Sequence, residues 1–504
     1  MIKSNIVAEL QSLGLRMDQK VLARRGGAGP AEGATIVIDG RPVTVPLAGA
    51  FVRNSPFLVG EEKGQFVLLK NSAKIGTVEL VNPPQFYLGG TADGIAYKKI
   101  ALLHGRDCLA TTVIQTCANW RSGNRCLFCG IELTLSAGQT LPVKTPEQLA
   151  EVAQEALKLD GIGHVVLTTG APEEPALELS YLTACTRSIK EATHLPVHAQ
   201  LLPPDDPDRL WELKEAGLDT VGIHIECFDV EILSKAAPHK SVLGLDAYVA
   251  SWKKAVEIFG ANQVSSFLIA GLGEKEDSII EGSEFLADLG VYPFVVPLRP
   301  IPGSLMEQER PPDPALMIRL YEQVVEILRR KGLHSTRSLA GCVRCGACSA
   351  LPFFEHQEEG LICHPARDRS DFDRVFEIRH NVFVKEQMLF QESDRDEDDS
   401  KSTFLVAKMD GRVVGTVRVF PVNQNGRWIG GRLAIQEPFR HSGAGELLVR
   451  EAVRCVKKQG CQHFTAHIQA ENVPFFLRLG WKSIGPLEDF HGRPHQLMEA
   501  DLGD

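Results

Sequence analysis

The sequence predicts an α/β protein built on a partial (β/α)6 barrel, with a small β-rich N-terminal region and a C-terminal α+β domain. Three observations support this prediction. The chain has 504 residues, more than one ordinary hydrophobic core contains. Between about residues 109 and 331, short apolar runs alternate with longer amphipathic stretches, as in a parallel sheet with crossover helices. A different mixture of strands and helices begins after residue 366.

The composition is that of an ordinary globular protein. Apolar residues make up 44% and charged residues 23% of the chain, and the formal net charge is −10. This charge argues against a nucleic-acid-binding surface over the whole protein. No apolar run reaches the roughly 18 residues of a membrane span, and the N-terminus lacks the apolar segment of a signal peptide. We therefore expect a cytoplasmic protein without nucleic-acid or membrane partners.

The N-terminal region is rich in glycine, proline and short β-branched runs, such as those at 34–39, 41–45 and 65–70. Runs punctuated in this way predict short strands joined by turns. The region contains no chemical motif. The predicted boundaries are 1–95 for this region, 96–350 for the barrel, 351–366 for a linker and 367–504 for the C-terminal domain.

The barrel prediction rests on about six pairs of a strand and a following helix. Six units are fewer than the eight of a closed TIM barrel, so the barrel is expected to be partial. The predicted strands are 111–116, 164–169, 196–201, 220–226, 263–270 and 293–298, and the helices are 146–159, 175–192, 207–216, 245–259, 276–289 and 313–331.

The C-terminal pattern combines helices and strands in another order. Its predicted elements are a helix near 370–385, strands at 403–409, 413–420 and 430–436, a helix at 443–459, a strand at 462–469 and a helix at 472–479.

Two tight groups of cysteines indicate metal or cluster ligation, because structural disulfides are rare in the cytosol. The first cysteine group (Cys117, Cys126 and Cys129) has the spacing C-x8-C-x2-C and directly follows the first barrel strand. Three soft thiolates on one loop can hold three irons of a [4Fe–4S] cluster and leave the fourth open for a chelating ligand. A structural zinc site completed by a residue such as Cys108 is the alternative.

A three-cysteine loop after the first strand of a partial barrel, with an aromatic before the last cysteine, resembles the radical S-adenosylmethionine (SAM) superfamily. The usual spacing there is C-x3-C-x2-C, so the first gap is longer here. The resemblance implies a [4Fe–4S] cluster whose open iron binds SAM, and an electron donor such as flavodoxin or ferredoxin. It implies cleavage of SAM to methionine and a 5′-deoxyadenosyl radical, which abstracts a substrate hydrogen.

The same resemblance implies SAM-binding positions near the cysteine loop and at the ends of the barrel strands. Gly170 follows the second strand, where glycine permits close backbone approach, although an ordinary turn would also explain it. Ser266 and Arg299, on or just after the fifth and sixth strands, could point inward or simply pack. The implied SAM-binding residues are Phe128, Thr169, Gly170, Glu226, Ser266 and Gly271.

The second cysteine group (Cys342, Cys345 and Cys348) has the spacing C-x2-C-x2-C, which matches the first part of the ferredoxin-type run. Cys363 or a substrate atom could supply a fourth ligand. The group could hold a second iron–sulfur cluster or zinc, since zinc also takes four cysteines, or three and a histidine such as His364. A cluster there could anchor substrate or donate sulfur, as in lipoyl- and biotin-type synthases.

The C-terminal domain contains a strand, a glycine loop and a helix N-terminus in sequence, an arrangement that favours anions such as a pyrophosphate. The loop Arg440-His-Ser-Gly-Ala-Gly445 resembles the R/Q-x-x-G-x-G/A signature of GNAT N-acetyltransferases, and the resemblance spans nearly all of 370–500. It implies binding of acetyl-CoA or another acyl-CoA. The implied acyl-CoA residues are Leu433, Ala434, Ile435, Arg440, Gly443, Ala444, Gly445, Asn472 and Phe475.

Acyl transfer to an amine needs a deprotonated amine, and a side chain or water can act as the base. The acidic run at 392–399 could attract a cationic amine, although such a run is more often a solvated loop. Acyl-homoserine-lactone synthases share this fold and carry acidic residues after a similar helix, so they are the alternative subtype. The candidate catalytic residues are Glu392, Asp398, His467 and Glu471.

Together these motifs predict a bifunctional enzyme. The whole arrangement resembles a little-characterised bacterial family of radical SAM proteins from nitrilase-linked gene clusters. The barrel would form a carbon radical on a small molecule, and the C-terminal domain would acylate an amine. The alternatives are a sulfur-inserting enzyme, a zinc-stabilised barrel in which only the acyltransferase is active, and a CoA-sensing C-terminal domain without turnover.

Overall fold

The computed structural model describes residues 2–17, 33–355, 361–366, 369–409, 412–422, 426–440, 442–490 and 492–502. The chain divides into two compact units, Met1–Glu355 and His356–Asp504. Each helix within the described ranges is too short or too polar to cross a lipid bilayer.

The first unit begins with one helix and two small antiparallel sheets. Their elements are α1 (Ser4–Leu13), β1 (Gly33–Ile38), β2 (Arg41–Pro46), β3 (Phe57–Glu62), β4 (Gln65–Lys70), β5 (Ala73–Thr77) and β6 (Glu79–Leu80). One sheet has the order β2-β1-β6 and the other β3-β4-β5. Helix α1 buries Val7 and Leu10 in the same hydrophobic core as the barrel, so this region packs on the barrel.

The rest of the first unit is a seven-stranded half-barrel. Its elements are α2 (Tyr97–Ile100), β7 (Leu102–His104), β8 (Cys108–Ile114), α3 (Ala118–Arg121), α4 (Leu133–Ser136), α5 (Pro146–Asp160), β9 (His164–Thr169), α6 (Pro175–Thr193), β10 (Val197–Leu201), α7 (Leu210–Glu215), β11 (Thr220–Ile223), α8 (Val230–Ala236), α9 (Pro238–Phe259), β12 (Val264–Ala270), α10 (Glu276–Asp288), β13 (Val291–Pro297), α11 (Pro314–Lys331), α12 (Gly341–Cys345) and α13 (Leu351–Glu355).

Strands β8 to β13 lie side by side in chain order and run parallel, and β7 adds an antiparallel edge strand. Helices follow the strands, as right-handed crossovers require. Local sequence sets their ends: α5 starts at a capping box between Thr145 and Gln148 and stops at Gly161, which has a left-handed conformation. The predicted partial (β/α)6 barrel is confirmed.

The N-terminal region also contacts the segment that carries the second cysteine group. The backbone N–H of Thr44 in β2 donates to the Ala347 carbonyl at 2.8 Å, and the Gln11 side chain donates to the same carbonyl at 3.0 Å. Arg299, just after β13, donates to the Thr44 carbonyl at 3.3 Å. The hairpin of β1 and β2 therefore covers residues that follow the last barrel helix.

The second unit is a single mixed sheet with helices. Its elements are β14 (Leu361–Pro365), α14 (Arg369–Arg379), β15 (Thr403–Met409), β16 (Arg412–Pro421), β17 (Arg427–Ile435), α15 (Ala444–Lys458), β18 (His463–Gln469), α16 (Val473–Arg478), β19 (Lys482–Phe490) and β20 (Arg493–Glu499). The strand order is β14-β15-β16-β17-β18-β20-β19, and only the β17–β18 pair is parallel among these strands. Helix α15 packs Leu448, Ala452 and Val456 against the sheet.

The segment 351–366, predicted to be a linker, contains regular structure where it is described. Residues 351–355 form α13, and 361–365 form β14, which pairs with β15. Glu355 is buried because it accepts hydrogen bonds from the Tyr292 hydroxyl at 2.6 Å and from a backbone N–H at 3.2 Å. Both donors are far from Glu355 in the sequence, so the sequence alone does not predict these hydrogen bonds. Residues 356–360 lie outside the described part of the chain.

Part of the acidic run at 392–399 forms a buried ion-pair network. Arg379, whose side chain is fully buried, donates to Asp394 and Asp399 at 2.7 Å each. The expected solvated loop is therefore wrong for these carboxylates, because arginines on α14, β16 and β17 neutralise them. The network consists of Arg379, Arg418, Arg432, Asp394, Asp396 and Asp399.

Replacing Arg379 with alanine should loosen the second unit. It removes one cationic partner from two buried carboxylates and leaves Asp394 with Arg432 and Asp399 with Arg418, which costs up to about 3–5 kcal/mol. We expect faster amide hydrogen exchange in peptides that cover β15 and β16 of the full chain. Arg450→Ala, which removes an exposed i,i+4 pair with Glu446, should change exchange little. Equal exchange in the two variants would contradict a stabilising role for the network.

Candidate functional site

A cavity of about 430 Å³ lies inside the half-barrel. Residues that follow the carboxyl ends of the strands line it: Cys117 after β8, Gly170 after β9, Glu226 after β11 and Leu298 after β13. Active sites of barrels of this kind sit at that end, because the loops after all strands meet there. The cavity is therefore the candidate active site of the first unit.

The first cysteine group lines this cavity as a unit, with Cys117, Cys126 and Cys129 all on its wall. The loop is anchored at two points. The backbone N–H of Cys117 donates to the Glu132 carboxylate at 2.9 Å, and that of Leu127 donates to a carbonyl at the end of α8 at 2.8 Å. The loop is thus tied both to its own continuation and to the opposite side of the barrel.

The thiols of the first cysteine group lie close enough to influence one another. Burial raises the pKa of Cys126 to about 12; the Lys240 cation acts against this rise, and the Cys129 and Cys117 thiols add to it. Burial likewise raises the pKa of Cys129 to about 11. Ligation requires deprotonated thiolates, so a metal centre would have to overcome this preference for the neutral form.

Gly170 brings the end of β9 against the cysteine loop. A Cβ atom at this position would lie 2.2 Å from the Thr116 carbonyl oxygen and 3.2 Å from the Cβ of Cys117. The backbone N–H of Ala118 donates to the Ala171 carbonyl at 2.8 Å. Glycine is needed here because any side chain would push the loop away from the strand.

Glu226 and Lys240 form a buried pair on the cavity wall. The Lys240 ammonium donates to Glu226 Oε1 and to the His224 carbonyl, both at 2.7 Å. Although burial lowers it, the Glu226 carboxylate raises the pKa of Lys240 overall. Glu226 has φ = 73°, an uncommon value for a residue other than glycine, and its Oε2 is buried without a hydrogen-bond partner among the described residues. The free oxygen is available to a donor in the cavity.

Glu178 is a second cavity carboxyl, contributed by α6. Burial raises its pKa to about 7, although hydrogen bonds from Thr169 and from the backbone N–H of Leu202 lower it. Thr169 donates to it through its hydroxyl. Near neutral pH this side chain can therefore hold or release a proton beside the predicted SAM-binding position Thr169.

Of the remaining predicted SAM-binding residues, one lines the cavity and two do not. Phe128 lines the cavity. Ser266 is fully buried and accepts a hydrogen bond from the backbone N–H of Ile225 at 3.1 Å, so it packs between strands instead of facing the cavity. Gly271 has φ = +100° and packs against Pro312, outside the cavity lining.

The second cysteine group lies at the opposite end of the same barrel. Cys108, the first residue of β8, forms a side-chain hydrogen bond with Cys345. The Cys348 thiol lies 3.3 Å from His104 Nε2, at the end of β7. Cys342 and Cys348 line the cavity that also contains the first cysteine group. The cavity therefore runs from the carboxyl ends of the strands towards their amino ends.

The protonation of this end of the barrel is set by close contacts. The hydrogen bond from Cys108 lowers the pKa of Cys345 to about 6, against the effect of burial. Burial lowers the pKa of His104, but the Cys348 and Cys345 thiols raise it to about 9. Burial raises the pKa of Cys348, but the neighbouring His104 lowers it overall.

Cys363, a predicted fourth ligand of the second cysteine group, belongs to the second unit. It lies on β14 in the second unit, opposite Ala407 of β15, and packs against that unit's core. Cys108, considered as a completing ligand for the first cysteine group, lies beside Cys345 instead. Within the described ranges, no three His, Cys, Asp or Glu side chains are arranged to hold one metal ion.

The candidate site of the second unit lies where β17 and β18 separate. Their parallel pairing covers only Arg427 to Ile429, so the predicted acyl-CoA residues 433–435 lie beyond the paired part. Helix α15 starts at Ala444, directly after Gly443 with φ = +86°. The N-terminal N–H groups of a helix of this length favour anions.

Other predicted acyl-CoA residues have local partners. Arg440 pairs with Glu386. Asn472 donates to the Gln469 side chain at 3.5 Å. Phe475 lies 3.6 Å from the position of a Cβ on Gly445, next to the start of α15.

The structure does not bring the four candidate bases together. Glu392 is exposed, Asp398 pairs with Lys401 at 2.7 Å, His467 stacks on Phe490 with ring centroids 5.3 Å apart, and Glu471 lies 3.9 Å from Arg493.

Comparisons with known proteins find a matching family for each of the two units. A model described as the radical SAM superfamily matches residues 122–286, and one described as an acetyltransferase (GNAT) domain matches residues 356–502. The bacteriochlorophyllide c C-7(1)-hydroxylase of Chlorobaculum limnaeum is 26% identical over 231 residues. That match covers 42% of this chain and 57% of the hydroxylase, so the chain spans little more than half of that relative's length.

The second unit has a more similar relative. A putative acetyltransferase of Bacillus subtilis (strain 168) is 33% identical over 131 residues, covering 25% of this chain and 88% of that protein. Among solved structures, a putative N-acetyltransferase from Lactobacillus plantarum has 19% identity and a TM-score of 0.27, covering 29% of this chain and 99% of that one.

Fold, sites and relatives together define an enzyme with two domains of different chemistry. The chain carries a radical SAM domain over residues 122–286 and belongs, through residues 356–502, to the GNAT acetyltransferases. The first family implies SAM and a [4Fe–4S] cluster, and the second implies an acyl-CoA.

Sequence reasoning missed several cavity residues. The helix predicted at 245–259 begins at Pro238 and is interrupted at Gly244, so the turn that carries Lys240 fell outside the prediction. Proline at the first helical position was the available signal. The cavity residues that the sequence did not indicate include His104, Glu178, Gln200, His224, His239 and Lys240, whereas Arg299 lines the cavity as one of its two expected orientations requires.

Because burial raises the pKa of Glu178 to about 7, it should make stability depend on pH. Between its unfolded pKa of about 4.3 and about 7, the folded state binds the proton and the unfolded state does not, so stability falls as pH rises. Glu178→Gln should reduce the loss between pH 5 and pH 8 by up to about 3 kcal/mol in urea denaturation.

Glu212→Gln, which changes an exposed carboxylate on α7, is the control. It should leave the pH dependence unchanged. An unchanged pH dependence in Glu178→Gln would contradict the raised pKa.

Proposed function

We propose that the first unit performs SAM-dependent radical chemistry on a small molecule, and that the second transfers an acyl group from an acyl-CoA to an amine. The observation that carries the first part is the shared cavity. It places the three thiols of the first cysteine group beside the buried pair of Glu226 and Lys240.

The residues fit a [4Fe–4S] cluster. The first cysteine group offers three soft thiolates on one loop, and no fourth cysteine is among the described residues that touch it. The nearby Lys240 cation offsets negative charge in a buried site. When bound, the cluster would supply the electron that cleaves SAM to methionine and a 5′-deoxyadenosyl radical.

The chain's own residues would bind and orient SAM and exclude water. The unpartnered Oε2 of Glu226 can accept a hydrogen bond from a cationic amino group. Gly170 lets the cysteine loop lie close against the end of β9 and so keeps the thiols on the cavity wall. Apolar side chains, Phe267, Ile269 and Val296, line part of the wall and would shield a reactive carbon from water. A hydrogen abstraction from a carbon also fits the hydroxylase name of the relative from Chlorobaculum limnaeum.

In the second unit, the start of α15 would hold the CoA pyrophosphate. The separated ends of β17 and β18 leave strand backbone beyond Ile429 for the acyl-pantetheine arm. A side chain or water would take the proton of the amine. We further propose a cytoplasmic location and reduction by flavodoxin or ferredoxin.

The first test is anaerobic reconstitution with iron and sulfide, followed by dithionite and SAM. The wild-type chain should form 5′-deoxyadenosine, detected by mass spectrometry, and Cys126→Ala should not, because it removes one of the three thiolates. Cys185→Ala, a fully buried cysteine of α6 outside the cavity, is the matched control. Equal product in wild type and Cys126→Ala would refute the radical function.

The second test places a carboxylate in the proposed CoA site. Gly445→Glu puts a negative side chain in the first turn of α15, where it competes with pyrophosphate for the same N–H groups. The Kd for acetyl-CoA, measured by calorimetry, should rise about tenfold or more. Arg450→Glu makes a larger charge change further along α15 and should shift the Kd much less. If the Kd rose equally in both variants, the effect would come from the net charge of the protein, and the proposed CoA site would be contradicted.

A further inference from the structure

We propose that Cys108, Cys342, Cys345 and Cys348 hold a second [4Fe–4S] cluster at the amino ends of the barrel strands. This site does not depend on the proposed function of the first cysteine group. It assigns the fourth ligand to Cys108 and not to Cys363, which belongs to the second unit.

The topology brings the four cysteines together from distant parts of the chain. Cys108 starts β8, and the other three lie on and just after α12. Cys108 and Cys345 are in direct side-chain contact and share a small cluster with Ala347. The structure therefore adds a fourth thiol, Cys108, beside a group in which the sequence shows three.

Two glycines allow this close approach. A Cβ on Gly105 would lie 2.7 Å from the Cys345 sulfur, and a Cβ on Gly341 would lie 2.6 Å from His198 Nδ1. Gly105 and Gly341 also have φ of +63° and +91°, values that side chains disfavour. The backbone on both sides of the thiols is thus shaped for tight packing around them.

Polar groups surround the thiols in the way that anionic sulfur requires. His104 Nε2 lies 3.3 Å from the Cys348 sulfur, and the Gln200 amide donates to the Cys342 sulfur at 3.4 Å. The half-buried guanidinium of Arg299 lines the cavity, and its positive charge acts on Cys348. A site with several negative thiolates needs such donors and cations to remain buried.

The spacing of the second cysteine group favours an iron–sulfur cluster over one zinc ion. Three cysteines at C-x2-C-x2-C match the first part of the ferredoxin-type run, whereas zinc sites usually take their ligands in pairs. Cys342 and Cys348 would place the cluster on the wall of the cavity opposite the first cysteine group.

The test uses the full chain with Cys117, Cys126 and Cys129 all replaced by alanine, which removes the first cysteine group. After anaerobic reconstitution this variant should retain about four irons and four sulfides per chain. Adding Cys108→Ser should lower iron at least about twofold and change the electron paramagnetic resonance spectrum of the reduced protein. Adding Cys363→Ser instead should leave both unchanged.

Other outcomes would overturn the proposal. About one zinc and no iron would assign the site to a structural zinc ion, and the absence of both metals would remove the site. Iron that falls with Cys363→Ser but not with Cys108→Ser would assign the fourth ligand to Cys363. Cys185→Ser, which changes another fully buried cysteine, controls for loss of folding, and circular dichroism must show that all variants are folded.

Discussion

The parallel direction of the six strands β8 to β13 is the constraint on which the first unit depends. Because all six run the same way, the residues that follow them meet at one end and the residues that precede them meet at the other. The first end carries Cys117, Gly170 and Glu226, and the second carries Cys108 and His164. One strand direction therefore gives the barrel two chemically distinct ends joined by one cavity.

Hydrophobic patterning predicts the barrel well because its strands are buried on both faces and its helices are amphipathic. The predicted strand at 164–169 coincides with β9, and the predicted helix at 146–159 differs from α5 by one residue. The three-cysteine loop carries its own signal in its spacing. The Glu226–Lys240 pair carries no such signal. Lys240 lies in the first turn of α9, which begins earlier than the hydrophobic pattern of the sequence indicates.

Other parts of the structure depend on contacts that no local pattern records. Strand β19 is exposed along its length and contains Gly485 and Pro486, so its sequence resembles a loop. The acidic run at 392–399 resembles a solvated segment until strands β16 and β17 bring arginines beside it. In the same way, Cys108 resembles an ordinary buried cysteine, and only the return of the chain after α11 places it against Cys345. Such contacts join residues that are far apart in the sequence, so local patterns in a single sequence do not predict them.

The hydrogen bonds that join Thr44 and Gln11 to Ala347 have a consequence for the order of assembly. Gln11 and Ala347 are 336 residues apart in the sequence, so these hydrogen bonds can form only after the whole barrel has been synthesised. Closure of such a long loop is slow and comes late in folding. The amino ends of the strands are therefore completed last, whereas the loops at their carboxyl ends are positioned by the barrel itself.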